Sequence, residues 1–260
     1  PELDVFIRSS TDPILFHEYH RQFTHSLFFI PFGALIVTLV IFPLVKKTLS
    51  LKNVYVASFF GYATHGLLDA CTSYGTLLFW PFSNERVTWN NISVVDPIFT
   101  IPILIFAATA IITRKMLLSF FAIGWLTFYL LLGFVQYERA FLVANDLAHS
   151  RGHNPKRLTL KPSFGNQILW KSIYQYEENF YVDAIRTALS STWCLGESIR
   201  MFDYQYHLPN LDLESQQRKD IERFRWFSQD YLGFDDDKNL VTDVRYSMIP
   251  NQIAPPVSYT

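Results

Sequence analysis

Ser26–Val45 reads SLFFIPFGALIVTLVIFPLV, twenty residues without a single charge. At a rise of about 1.5 Å per residue, such a helix crosses a hydrocarbon core of about 30 Å. This stretch predicts a membrane-spanning helix. Working outward, Met116–Val135 (MLLSFFAIGWLTFYLLLGFV) is a second run of the same kind. Pro97–Thr113 (PIFTIPILIFAATAIIT) is clean but slightly short, and becomes long enough if Val94, Val95 and Asp96 begin the span. Val54–Gly75 (VYVASFFGYATHGLLDACTSYG) is apolar except for His65 and Asp69. Lying between two spanning helices, it reads as the returning span.

The expected fold is therefore a mainly α membrane bundle of about four transmembrane helices, followed by a C-terminal α+β extramembrane domain. The expected boundary puts the helical membrane domain at residues 1–150 and the extramembrane domain at 151–260. The chain begins at Pro1, and a further N-terminal piece, a signal or one more membrane helix, is expected ahead of it. Beyond Tyr137, YERAFLVANDLAHSRG reads as an amphipathic continuation closed by Gly152. ILWKSIYQYEENFYVDAIR reads as two strands around Tyr176–Asn179, and Leu213–Phe224 as a charged helix. WFSQDYLGFDDDKNLVTDVRYS reads as a hairpin turning at Asp235–Asn239. The tail from Pro250 to Thr260, with three prolines, is expected to be extended.

Composition agrees with a membrane protein. Charged residues make up 17% of the chain, below the roughly 25% of soluble domains. A net charge of −1 offers no basic field for nucleic acid. Two cysteines, Cys71 and Cys194, make neither a disulfide framework nor a thiolate zinc site. The loop with Lys46, Lys47 and Lys52 and the loop with Arg114 and Lys115 fall on one side of the membrane, which the positive-inside rule makes the cytoplasm. Residues 1–25, the loop from Thr76 to Ser93 and everything after Gln136 then lie outside.

Ionisable residues in this frame point to a metal. His65 and Asp69, four apart, share one helical face. An imidazole and a carboxylate inside a span are costly and functional by default, and both suit zinc or manganese. The bland reading is a structural His–Asp hydrogen bond. His20 and His25 (HRQFTHS) precede the first span; five apart, they converge only if the helix starts between them, with Thr24 and Ser26 as candidate N-caps. His17 looks incidental. Glu2 and Asp4 (PELDVF) have the spacing of ordinary surface acids. Asp96 is either a ligand or the N-cap before Pro97. The expected topology gathers all of these at one membrane face, away from the lysine loops.

HRQFTHS, followed by HGLLDACTSYGTLLFWPF and VVDPIF, resembles the YdjM-like family of membrane-bound, predicted metal-dependent hydrolases. PELDVF resembles the acidic element that precedes the histidine motif in that family, with Glu2 where the family shows Asp. SFGNQILWKSI, WFSQDYL and VTDVRYS are similar to its extramembrane tail. The resemblance implies metal binding by His20, His25, His65 and Asp69, with Asp4 in addition. It also implies a bacterial inner (plasma) membrane location.

Three functions follow as expectations. The first is hydrolysis of an ester or phosphoester, lipid-linked or small, at the outer face. A divalent metal, zinc before manganese, would be bound there, with Asp4 or Glu2 as general base and Arg21 holding an anionic oxygen. The second is a non-catalytic membrane protein stapled by its metal. The third is a cation or proton transporter using His65 and Asp69. Neither a nucleic-acid partner nor any particular oligomeric state is implied.

Overall fold

The computed structural model describes residues 1–253 and the backbone of Ser258–Tyr259. Of the proline-rich tail, 254–257 and 260 lie outside the described residues. The chain divides into two compact units, Pro1–Trp89 with Glu222–Gln229, and Asn90–Ile221 with Asp230–Thr260.

The first unit opens with a 3-10 turn at Glu2–Phe6, then helix α1 (Leu15–Tyr19) and a 3-10 turn at Phe23–His25. Leu27–Phe29 leads into α2 (Ile30–Val45), and α3 spans Leu51–Ala70. Ser26 is the cap at the entrance, its Oγ accepting from Phe29 N; Ser50 does the same for Asn53 N at the head of α3. The hydroxyl of Thr24, the other candidate cap, turns instead to Asp4 and His25. Helices α2 and α3 pack closely because two glycines remove side chains at the contacts. Gly33 faces the Tyr62 ring, and Gly66 lies on the backbone carbonyl of His25, each with no room for a Cβ. Tyr62 Oη, freed from its own helix face, donates to Thr24 O at 2.7 Å.

The second unit begins with α4 (Pro97–Thr113) and α5 (Met116–Ser150). Asp96 caps α4: its Oδ1 accepts from Phe99 N and its Oδ2 from Tyr129 Oη, so both oxygens are engaged. α5 has 35 residues, a rise of about 52 Å, well beyond one hydrocarbon core. Its later part packs Ala140, Ala144 and Leu147 on Leu160, Trp170 and Ile185 of a sheet. That sheet holds β1 (Arg157–Pro162), β2 (Leu169–Tyr176), β3 (Asn179–Thr187) and β4 (Ser191–Cys194) in order, with β5 (Ser198–Arg200) also on β3. After α6 (Tyr204–His207) and α7 (Gln216–Phe227) come β6 (Leu232–Asp235), β7 (Leu240–Asp243) and β8 (Ser258–Tyr259). Alternation along β2 and β3 sends Ile173, Phe180 and Val182 to the other face, against Tyr231 and Val244. The hairpins expected around 176–179 and 235–239 both form. On the second face Lys161 stands directly opposite Lys171, and burial pushes the Lys171 amine down to about 8.

Among the described residues, two helical segments are long and apolar enough to cross a membrane, Leu27–Val45 and Met116–Ser150. The expected count of four is not supported by length and composition alone. α4, at 17 residues, is apolar but short. α3 has the length, but it carries Lys52, Asn53, His65 and Asp69, which dilute its apolar character.

Candidate metal centre

The site is built in the first unit, where α3 meets the turns that precede α2. The contact of Gly66 with the His25 carbonyl sets the distance between them. His65 and Asp69, one helical turn apart, then face the His25 ring, and Glu2 closes the group from the N-terminal turn. Glu2, His25, His65 and Asp69 each offer one ligand atom within 4.8 Å of the others. His25 Nε2 lies 3.1 Å from Asp69 Oδ2 and 3.6 Å from Glu2 Oε1. His65 Nε2 lies 3.3 Å from Asp69 Oδ2 and 3.0 Å from Glu2 Oε1. Metal–ligand bonds of about 2.0–2.1 Å in tetrahedral geometry put ligand atoms about 3.4 Å apart. The four observed separations bracket that edge.

Hydrogen bonding supports the fit. His25 Nε2 and Asp69 Oδ2 are both buried and lie 3.1 Å apart, yet neither makes a hydrogen bond of good geometry, to the other or to any third group. Buried polar atoms are seldom left so, and an ion is one of the few things that would satisfy both. Charge points the same way. Glu2, Asp4 and Asp69 bring three negative charges against the Arg21 guanidinium, which lies 3.3 Å from Asp69 Oδ1, so with neutral imidazoles, the form that ligates a metal, an excess of two remains. A divalent cation cancels it.

Asp4 sits behind this group. Its carboxylate accepts from the Arg21 N–H at 2.9 Å and from Thr24 Oγ1 at 2.9 Å. It also lies 3.0 Å from His20 Nδ1 and 3.2 Å from His25 Nδ1. Burial alone would raise its pKa, but the bonds from His20, His25, Arg21 and Thr24 hold it well below the usual carboxylate range. Burial would likewise lower His25, and the carboxylates of Asp4 and Asp69 beside it outweigh that and raise it. Without a metal the ring favours a proton, so loading the site releases one.

His20 joins a second group, with Asp4 and Glu2; its Nδ1 faces Asp4, not Asp69. Arg21 is buried, donating to Thr72 Oγ1 at 2.8 Å and lying 3.3 Å from Asp69 Oδ1. Thr72 and Tyr74 lie within the HGLLDACTSYGTLLFWPF stretch, Tyr74 packing against Arg21 and the His20 ring, but the sequence patterns gave no role to either. Nor did they signal the end of α7, where Arg223 binds Asp12 and Glu18 and Phe227 packs on His17. No charge spacing or periodicity singles these residues out, because they act through packing and ion pairs set by the fold.

An α-helical hairpin with an apolar first helix and a histidine–carboxylate cluster able to hold a metal ion defines a membrane protein with a candidate metal site. The family model described as YdjM inner membrane protein matches residues 1–140, and the chain belongs to that family. Its two apolar helices fit that membrane location. No curated protein and no solved structure matches the chain.

Proposed function

We propose that this protein is a metal-dependent hydrolase of the inner membrane, acting on an ester or phosphoester of a lipid-linked substrate. The observation that carries the reading is the convergence of the buried atoms His25 Nε2 and Asp69 Oδ2, in contact but without good hydrogen-bond geometry, with His65 and Glu2. Zinc suits two imidazoles and two carboxylates, with manganese the second choice. Asp4 and His20 brace the centre from behind. In this reading α3 and α4 also cross the membrane, and the site faces the outer side, opposite Lys46, Lys47 and Lys52.

A divalent cation in this site supplies Lewis acidity to a substrate oxygen. The chain's own groups do the rest. Asp4 holds His25 in one orientation through Nδ1, and Arg21 fixes Asp69. The Glu2 side chain is 55% exposed and the His65 side chain 33%, so Glu2 is the one of the four that would give up its place to water, leaving His25, His65 and Asp69 as the protein ligands, and as the freed carboxylate it would take the proton from an attacking water. That exposure favours catalysis over a structural staple, whose ion is closed off by protein ligands.

The test is hydrolysis of p-nitrophenyl acetate and bis-p-nitrophenyl phosphate by the purified full chain in detergent. Turnover of one of them should disappear on chelation, return with zinc or manganese, and be absent in His65→Ala. Turnover indifferent to chelation, or equal in His65→Ala, would reject the hydrolase.

A further inference from the structure

An apolar groove of about 410 Å³ runs along the contact of α2 and α3 and ends at His65. Its α3 wall includes Val54, Ala57, Gly61 and His65, with Ser58 and Tyr62 beside them, and Val37 and Ile41 line it from α2. Spacings of three, four and four residues keep the α3 set on one helical face. We infer that this groove receives one acyl chain of a lipid whose ester or phosphoester lies at the His65 end. The inference rests on the hydrolase reading and gives it a substrate class.

Three observations choose the occupant. The first is length: Val54 to His65 rises about 17 Å, close to the roughly 15 Å of hydrocarbon in one leaflet. The second is shape: a narrow apolar trough between two packed helices, lined by Val37, Ile41, Val54 and Ala57, suits one extended chain. A Cβ built on Gly61 meets nothing within 4 Å, so the trough is open at its middle. The third is continuity. Ile41 at the groove's edge is exposed, and so are Val40 and Leu44 on the same apolar helix. The groove thus opens onto a surface that the bilayer covers in a protein of this family, and a chain enters sideways without crossing water. The groove ends at the ionisable side chain of His65, which is where the bond to be cleaved would lie.

The experiment uses the full chain in vesicles of phosphatidylethanolamine and phosphatidylglycerol, doped with phosphatidylglycerol carrying a diazirine in one acyl chain. Photolysis should label groove residues of α2 and α3. Gly61→Trp, which fills the trough, should lower that labelling at least tenfold, and Ala57→Phe should do the same if the first variant folds poorly. Metal content and melting temperature report folding. Labelling spread evenly over the apolar helices, or unchanged in both variants, overturns the inference. So does groove labelling blocked by a polypeptide segment or a second copy of the chain, seen as a protein–protein crosslink at Gly61→Cys. Asp69→Ala, which alters the metal cluster but lies outside the groove lining, should keep the labelling. A labelled groove in a protein without metal-dependent turnover would therefore support the lipid site while rejecting the hydrolase.

Discussion

Asp4 shows how much one side chain carries here. Its two oxygens meet His20, His25, Thr24 and the Arg21 N–H, and its carboxyl is fully buried. The Arg21 N–H reaches it because Arg21 adopts a φ of 60°, a left-handed conformation uncommon for a residue with a side chain. A carboxylate behind a ligating histidine fixes the ring and raises its basicity, and losing such a partner typically costs 10–100-fold in metal affinity. Asp4→Asn keeps the shape and removes the charge. It should weaken zinc binding by about 10–100-fold, read by competition with a fluorescent chelator, with melting of the apo protein only modestly changed. Unaltered affinity would mean that Asp4 does not act through His25.

At the scale of elements, the legible parts were those whose physics is periodic. α2 and α5 were plain because uncharged runs of this length have few soluble explanations. The β2–β3 and β6–β7 hairpins were plain because alternation stops at polar turns, at Glu177 with a φ of 51° and at Asn239 with a φ of 52°. β1 was missed: RLTLKP is short and mixes two lysine or arginine positions with a terminal proline. β4 and β5 have four and three residues, too few for a pattern. The pairing of His65 with Asp69 followed from helical spacing alone. Which histidine would join them did not. That choice depends on the 3-10 turns at Glu2–Phe6 and Phe23–His25 and on the close approach at Gly66, none of which has a period. Helix α7 read correctly as a charged helix, but nothing in its pattern tells that its last turn belongs to the first unit.

At the scale of the whole molecule, the positions of the lysines and arginines give the account an orientation. The loop at Lys46–Lys52 should be cytoplasmic, and the chain after Gln136 should be outside. In a variant lacking Cys71 and Cys194, a membrane-impermeant maleimide added from outside should label a cysteine at position 215 and not one at position 50. The reverse pattern would turn the metal centre to the cytoplasmic face.

The central claim is that Glu2, His25, His65 and Asp69 hold a metal ion, and elemental analysis of the purified full-length chain measures it directly. The account predicts about one zinc or manganese per chain at the least, falling below about a tenth of that in His65→Ala and in Asp69→Ala, with near-ultraviolet circular dichroism preserved. Metal-free wild-type protein after purification without chelators, or full metal content in both variants, would contradict it.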